Sequence, residues 1–259
     1  MKLSIGAILD YDFDRPTDVL LQVEAAAIPE QRIEFARLDL TPCDHFARVP
    51  AQDMIGERIW LRVAGRLRAQ YDAIVAIERI LTPCGDLPRV ELRDLPGETV
   101  EYLMGSRYCP SDQFQNFVEA EFGHLHGGAR IVAMRDWIEG SFRYAPGVSN
   151  DETTALDTFV RREGICRDYA HVMITLARAS GIPARIASVY ALGVVPQDFH
   201  AVAEVFLGGE WHLIDPTGMA EEAAMAKIGI GRDAADVAFL TSYGVARFNM
   251  QSVSVIEAT

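Results

Sequence analysis

The N-terminal part of the chain consists of short apolar runs separated by turn residues. These runs predict β-strands at Ile33–Leu40, Ile59–Leu67 and Ala73–Ile80, and a further strand over Glu98–Met104. Seven prolines between positions 16 and 96 disfavour long helices in the same region. We therefore predict a β-sandwich-like domain over residues 1–105.

After Ser111 the hydrophobic residues change to a helical spacing. This spacing predicts three helices, around Phe114–Phe122, Ile131–Ile138 and Leu156–Val160. The segment Met219–Lys227 is also expected to be helical. A second domain of mixed helices and strands is therefore predicted over residues 106–259, which makes the chain α+β.

One further helix is predicted to be buried on nearly every side. Residues Asp168–Ala179 are apolar around most of the helix circumference, as is typical of a core helix. Gly164 precedes this helix and Pro183 follows it. Cys166 then lies at the N-terminal end, where unpaired backbone N–H groups and the positive end of the helix dipole are found. That setting favours a thiolate and leaves a backbone donor for an oxyanion.

A glycine pair downstream of this helix predicts a hairpin. Two apolar runs, His200–Leu207 and Glu210–Thr217, flank Gly208–Gly209. A two-residue turn at these glycines would pair Leu207 with Glu210 and fix the register of the whole hairpin.

The register of the hairpin decides how Cys166 is interpreted. A single cysteine at a helix start is more often a small buried hydrophobic residue than a nucleophile. In the predicted register, however, Asp215 opposes Val202, which lies two residues from His200 on the same face. His200 and Asp215 are then diagonal neighbours, about 7–8 Å apart at the backbone. We therefore predict a triad: Cys166 is the nucleophile, His200 its base, and Asp215 the group that orients the imidazole.

Four sequence blocks resemble the bacterial transglutaminase-like superfamily, whose members are often named cysteine proteases. In the family's order, these blocks are Gly-Ile-Cys-Arg-Asp-Tyr-Ala (164–170), Arg-Ala-Ser-Gly-Ile-Pro-Ala-Arg (178–185), His-Ala-Val-Ala-Glu-Val (200–205) and Trp-His-Leu-Ile-Asp-Pro-Thr (211–217). The resemblance covers residues 130–245 and implies a papain-like core with a Cys–His–Asp triad, here Cys166, His200 and Asp215. The N-terminal half resembles, more loosely, the β-rich region that precedes this core in many members. Val202 departs from the family pattern, in which an aromatic residue is common, but it leaves the triad intact.

Composition limits the class of partner. The formal net charge is −13 and no basic stripe is present, which argues against a nucleic-acid partner. No run approaches the roughly 18 apolar residues of a membrane helix, and the N-terminus lacks a signal-peptide pattern. The cysteines lie singly and without metal-ligand spacing, at Cys43, Cys84, Cys109 and Cys166. We therefore expect a cytoplasmic protein with reduced thiols, no membrane partner, no metal and no cofactor.

An oxyanion hole needs a second donor beside the backbone N–H of Cys166. Trp137 and Tyr144 both precede the nucleophile in the chain order that such donors have in related folds. The sequence does not choose between them.

Three more residues are candidates for substrate binding. Tyr169 follows the nucleophile closely and is placed to pack under the site. Arg232 and Asp233 lie in a glycine-punctuated loop with Asp236. This loop either faces the substrate or forms a self-contained Arg–carboxylate turn, since ion pairs within loops are common.

Together these features predict an enzyme that cleaves an amide bond through an acyl-enzyme. The Cys166 thiolate attacks the carbonyl, His200 protonates the leaving amine, and the acyl group then passes to an acceptor. A cysteine peptidase or amidase, with water as the acceptor, is the leading hypothesis because no hydrophobic amine channel can be argued from the sequence. The alternatives are a protein-glutamine transamidase, an arylamine-type acyltransferase, and a binding module that keeps the fold without the chemistry. The expected partner is a peptide or protein amide, whose identity the sequence does not give; it does not give the oligomeric state either.

Overall fold

The computed structural model describes residues 1–258, which contain twelve strands and four α-helices. The strands, in chain order, are β1 (Lys2–Leu21), β2 (Gln31–Leu40), β3 (His45–Pro50), β4 (Glu57–Ile77), β5 (Arg143–Tyr144), β6 (Glu163–Gly164), β7 (Ala184–Ala191), β8 (His200–Leu207), β9 (Glu210–Ile214), β10 (Met225–Gly231), β11 (Leu240–Ser242) and β12 (Ala246–Glu257). The helices are α1 (Gln115–Phe122), α2 (Gly127–Ser141), α3 (Ala155–Arg161) and α4 (Cys166–Ala179). Within the described residues, no helix is both long and apolar enough to cross a membrane.

Two very long strands, β1 and β4, organise the first sheet. The strand order is β11–β1–β4–β2, with β12 also paired to β1 and β3 also paired to β4, and all pairs are antiparallel. Odd-numbered apolar side chains, from Leu3 to Leu21 and from Ile59 to Val75, are buried in one cluster. Because successive side chains of a strand alternate between faces, one side of the sheet carries this core along its whole length.

The first sheet corrects several details of the prediction. The segments Ile59–Leu67 and Ala73–Ile80 were predicted as separate strands, but both belong largely to the single strand β4. The sandwich-like domain is one continuous sheet whose parts share one core, with an irregularity in β1 between Phe13 and Thr17. The strand expected over Glu98–Met104 is instead a 3₁₀ helix over Gly97–Leu103.

The second sheet has the antiparallel order β10–β7–β8–β9. Every residue of β7, β8 and β10 is buried, which explains their nearly continuous apolar runs. Helix α4 packs against side chains of this sheet that include Ile186 of β7 and Val205 of β8. The first sheet also contacts it, and Tyr71 of β4 stacks on Tyr190 of β7 with 6.1 Å between ring centroids. The α+β class is thereby confirmed.

The predicted helices had mixed outcomes. Helices α1, α2 and α3 overlap the three predicted segments and are confirmed. The helix expected over Met219–Lys227 is wrong, because Met225–Gly231 forms β10 and pairs with β7. Pairing inside a buried sheet has overridden the local preference of that segment.

The C-terminal end of the chain returns to the first sheet. Strands β11 and β12 both pair with β1. Residues 240–257, which the sequence assigned to the second domain, therefore belong with the N-terminal strands. The division of the chain near residue 105 stays a prediction, with this correction at its C-terminal end.

A group of charged side chains, the interface cluster (Glu30, Asp53, Arg185, Glu204 and Lys227), joins the two sheets, and its central members Arg185, Glu204 and Lys227 are buried. Glu204 is fully buried and binds Arg185 at 2.6 Å and also Lys227. Arg185 lies 3.2 Å from Asp53, and Lys227 pairs with Glu30. Burial would raise the pKa of Glu204, but Lys227 and Arg185 outweigh this effect and lower the pKa to about 2. Removing one member would leave an uncompensated charge in the interior, which is costly.

Candidate active site

Cys166 is the first residue of α4 and is half-buried. The preceding Ile165 is extended, with φ −108° and ψ 179°. Asp168, in the first turn, accepts a hydrogen bond from the Ile165 N–H at 2.9 Å. A Cβ at Gly164 would lie 2.7 Å from the Cβ of Asp168, so glycine is required there. These residues fix the first turn of α4 and hence the position of the Cys166 side chain.

The β8–β9 hairpin has a two-residue turn. Leu207 pairs with Glu210, and Gly208 and Gly209 have φ values of +62° and +95°. Two consecutive positive φ values suit the tight turns that match strand twist, and glycine adopts them without strain. The predicted turn and register are confirmed.

His200, the first residue of β8, and Asp215, which directly follows β9, meet at the same end of this hairpin. The Nε2 atom of His200 lies 3.0 Å from Oδ2 of Asp215. The Asp215 carboxylate also accepts hydrogen bonds from the N–H and the hydroxyl of Thr217, at 2.9 and 2.7 Å, and from the N–H of Ala220 at 3.0 Å. Burial alone would raise the pKa of Asp215, but the bonds from His200 and Thr217 outweigh it and lower the pKa. Asp215 is therefore an anion that keeps Nε2 of the imidazole protonated.

The other ring nitrogen of His200, Nδ1, is not bound by Asp215. His200 is fully buried, and its Nδ1 has no hydrogen-bond partner among residues 1–258. Burial lowers the pKa of His200, but the nearby Asp215 and Cys166 side chains outweigh it and raise the pKa to about 10. Because Nε2 is bound to Asp215, Nδ1 is the atom that can take the thiol proton. A thiolate beside an imidazolium is the form in which a cysteine acts as a nucleophile.

The structure distinguishes between the two candidate second donors. Strands β5 and β6 pair Tyr144 with Gly164, two residues before the nucleophile. Burial and the nearby Cys166 side chain raise the pKa of the Tyr144 hydroxyl. Trp137 instead packs in an aromatic cluster with Phe117, Phe122, Phe142 and Phe159, and the Arg162 guanidinium lies over its ring. Of the two candidates, Tyr144 is thus the one that strand pairing places next to the start of α4, and its role as an oxyanion donor stays a prediction.

Tyr169 is packed in the interior beneath the site. It is only 3% exposed, and its ring packs against Phe142 and Tyr144 at centroid distances of 5.5 and 6.0 Å. Its burial fits the expected packing role, and the substrate-binding role stays a prediction.

The loop with Arg232 and Asp233 forms its own contacts. The guanidinium of Arg232 pairs with Asp236 at 3.0 Å. Asp233 is 2% exposed and accepts hydrogen bonds from the N–H groups of Tyr108 and Ala235, both at 3.0 Å. These contacts are those expected of the self-contained turn, and the substrate-facing role of Arg232 and Asp233 stays a prediction.

Sequence reasoning missed the residues that hold Asp215. Thr217 and Ala220 supply three of the hydrogen bonds that its carboxylate accepts. A local signal was present, since an Asp two residues before a Thr commonly closes a turn with its own side chain.

Comparisons with known proteins cover both the site and the fold. A family model described as the transglutaminase-like superfamily matches residues 118–216, a span that includes Cys166, His200 and Asp215. A crystal structure from Cytophaga hutchinsonii, described as a "Putative Cysteine Protease", is 32% identical and covers 99% of this chain and 90% of that chain, with a TM-score of 0.91. The "Uncharacterized protein ML0607" of Mycobacterium leprae is 32% identical over 117 residues. The chain spans 42% of the length of that relative.

Proposed function

This chain belongs to the transglutaminase-like superfamily, and from that premise we propose that it is a thiol-dependent enzyme that cleaves amide bonds through an acyl-enzyme on Cys166. One observation carries the proposal. The buried His200 is bound through Nε2 to the Asp215 carboxylate at 3.0 Å, while Nδ1 remains unpartnered within residues 1–258. An imidazole held in this way has one nitrogen ready for the thiol at the start of α4.

The reaction proceeds in two halves. In the first, the Cys166 sulfur bonds to the amide carbonyl carbon, and the carbon–nitrogen bond breaks as His200 transfers its Nδ1 proton to the leaving amine. In the second, a water molecule gives a proton to His200 and its oxygen bonds to the acyl carbon. The carbon–sulfur bond then breaks and the thiolate returns. Asp215 stabilises the imidazolium in both halves without taking the proton itself.

Hydrolysis is the proposed outcome, which makes the enzyme a cysteine peptidase or amidase. The similarity to the Cytophaga hutchinsonii protein described as a cysteine protease supports it, since that similarity extends over nearly the whole chain. Transfer to an amine, as in a protein-glutamine transamidase, uses the same acyl-enzyme and differs only in the acceptor.

Selective alkylation tests the nucleophile directly. We expect iodoacetamide at neutral pH to modify Cys166 much faster than Cys84 and Cys109. Burial raises the pKa of Cys84 to about 11 and that of Cys109 to about 12, so those thiols stay protonated and slow. Peptide mass mapping over time gives the rate for each site. His200→Ala should slow the modification of Cys166, whereas equal rates at Cys166 and Cys84 would favour a non-catalytic module of this fold.

A substrate screen then tests the reaction. Peptide amides and a glutamine-containing protein are incubated with wild type, Cys166→Ala and the matched control Cys84→Ala, with and without a primary amine. Wild type and Cys84→Ala should release the hydrolysed product, and Cys166→Ala should not. Incorporation of the amine would identify a transamidase instead. Equal turnover by Cys166→Ala would exclude the proposed function.

A further inference from the structure

We propose that β12, the last strand of the chain, positions His200 for the reaction through three residues, the His200 anchor (Gln197, Asp198 and Gln251). The inference rests on the proposed function, because it assigns positioning residues to the same reaction. In this role the three side chains act through His200. A shift of about 1 Å at a reacting group can cost about 10²-fold in rate, so the position of His200 matters as much as its chemistry.

Gln197 binds the edge of β12 that faces away from β1. Its side-chain Nε2 donates to the Val255 carbonyl at 2.9 Å, and its Oε1 accepts from the Val255 N–H at 3.2 Å. In an antiparallel strand the N–H and C=O of one residue point to the same side, so one side-chain amide can bind both. Gln197 therefore pairs with β12 as one residue of a neighbouring strand would.

Asp198 makes the second contact with β12. Its Oδ1 accepts hydrogen bonds from Nε2 of Gln251 and, at 2.8 Å, from the N–H of Phe199. One oxygen thus connects β12 to the residue that precedes His200. Gln251 lies four residues before Val255, which separates the two contacts by about 13 Å along the strand. Two contacts at that spacing prevent the segment from turning about a single point.

Phe199 fixes the last residue before His200 by packing. It is 5% exposed and lies in the core of the first sheet. Its ring stacks on Phe239 with 3.9 Å between centroids and lies 5.5 Å from the ring of Tyr190. Residues 197, 198 and 199 are therefore all held by the first sheet or its core, and β8 begins directly after them at His200.

The anchor supplies a constraint that Asp215 cannot. His200 and Asp215 lie at the same end of one hairpin, and the 3.0 Å contact between them fixes the ring within that hairpin. The hairpin could still move as a unit relative to Cys166, which lies on α4. The anchor ties this end of the hairpin to a separate sheet. Without it, the His200–Asp215 pair would shift relative to the thiol while its own hydrogen bond stayed intact.

The pH dependence of Cys166 alkylation reports this placement without any substrate. An imidazolium close to the thiol stabilises the thiolate, so the rate of reaction with iodoacetamide should inflect below about 8.5, the pKa of an ordinary thiol. The test variants are Gln197→Ala, Gln251→Ala and the double variant. Both glutamines are exposed, so their truncation leaves no cavity in the core.

The matched control is Asn249→Ala, on the same strand. The Asn249 amide donates to Asp10 at 3.1 Å and to Asp12 at 2.9 Å, and both carboxylates belong to β1. Hydrogen bonds to charged groups are worth more than neutral ones, so the Tm of this variant should fall at least as far as that of Gln197→Ala. Its alkylation profile should stay that of wild type, because His200 keeps its anchor.

We expect each single anchor variant to raise the inflection by about 0.5–1 pH unit, as for the loss of about one hydrogen bond. Below the inflection, the alkylation rate should fall about three- to tenfold, and the double variant should lose more than either single one. Anchor variants with the wild-type profile, or an equal shift in Asn249→Ala, would overturn the positioning role and leave the thiol function standing. A wild-type inflection at or above about 8.5 would overturn the proposed function itself.

Discussion

At the scale of single residues, Asp215 shows how a carboxylate is kept ionised inside a protein. Its oxygens accept hydrogen bonds from His200, from the N–H and hydroxyl of Thr217, and from the N–H of Ala220. These donors prefer a negative acceptor, so they compensate for the burial that opposes the charge. The ionised carboxylate in turn selects the tautomer of His200 in which Nδ1 is free to accept a proton.

Replacing Asp215 with Asn should keep the fold and remove most of the activity. The amide has nearly the same shape, but it cannot stabilise an imidazolium and it allows the wrong tautomer of His200. We expect turnover to fall by as much as about 10⁴, the loss seen for the equivalent change in a serine protease. The control is Asp157→Asn, because Asp157 also binds a threonine N–H and hydroxyl, those of Thr154, but lies on α3. Comparable turnover in the two variants, measured beside their melting temperatures, would contradict the role of Asp215.

The stability contribution of His200 should depend on pH in a defined window. Its pKa is raised in the folded protein from 6.5 to about 10, so folding favours the protonated ring. The resulting stabilisation is fully present below pH 6.5 and is lost as pH rises towards 10. The difference in Tm between wild type and His200→Gln should therefore shrink across that range, as followed by differential scanning fluorimetry. A difference that stays constant from pH 6.5 to 10 would show that the imidazole gains no proton affinity on folding.

At the scale of elements, the start of α4 depends on the absence of a side chain at Gly164. The carboxylate of Asp168 occupies that space and binds the N–H of Ile165 at 2.9 Å. This contact closes the first turn of the helix and sets the direction in which Cys166 points. Gly164, two residues before Cys166, is thus required for the first turn of α4 to form with this geometry.

Gly164→Ala should damage both stability and activity. Its Cβ would lie 2.7 Å from the Cβ of Asp168, so the first turn of α4 would have to shift. Overpacking of this kind costs about 1–3 kcal/mol. Gly140→Ala is the control, since it lies within α2 with no atom near the added Cβ, and it should stabilise the protein by about 0.5–1 kcal/mol. Urea denaturation measures both changes, and a Gly164→Ala variant as stable and as active as wild type would refute the packing argument.

Local patterns predicted the elements that bear the candidate site. The buried helix from Asp168 onward has its own boundaries in Gly164 and Pro183, and the Gly208–Gly209 pair fixes its hairpin without help from distant residues. The relative placement of Tyr144 could not be predicted, because it depends on the pairing of β5 with β6. The sequence pattern therefore could not choose between Tyr144 and Trp137 as the second donor. Trp137 packs against Phe117 and Phe159 instead.

Longer-range pairing explains what the sequence did not predict. Asp10, Asp12 and Asp14 interrupt the apolar pattern of β1, so a strand of 20 residues was not recognised. Asp10 is fully buried because Arg66 of the neighbouring strand binds it at 2.6 Å. Strand β12, which pairs with β1, lies more than 200 residues further along the chain. A local sequence pattern cannot predict a pairing over that separation.

At the scale of the whole molecule, the last two strands pair with the first. Strand β12 pairs with β1 from Leu3 to Phe13, and β11 pairs with the end of the same strand. The interface cluster adds contacts between Asp53 and Arg185 and between Glu30 and Lys227. The N-terminal segment is therefore connected to the remainder by strand pairing, by apolar packing and by buried charge, in addition to the covalent chain.

Cutting the chain once between residues 81 and 110 should consequently leave the molecule assembled. None of residues 81–98 is buried, and the segment holds only short 3₁₀ turns, so limited proteolysis should cut there first. We expect the two fragments to elute together in gel filtration, because separation would strip β12 from β1 and expose Val253 and Val255 with the charges of the interface cluster. They should come apart only in denaturant. Cys166, His200 and Asp215 all lie on the larger fragment, so reaction of Cys166 with iodoacetamide should persist in the nicked protein. A small fragment that elutes alone in native buffer would mean that the shared sheet does not hold the two parts of the chain together.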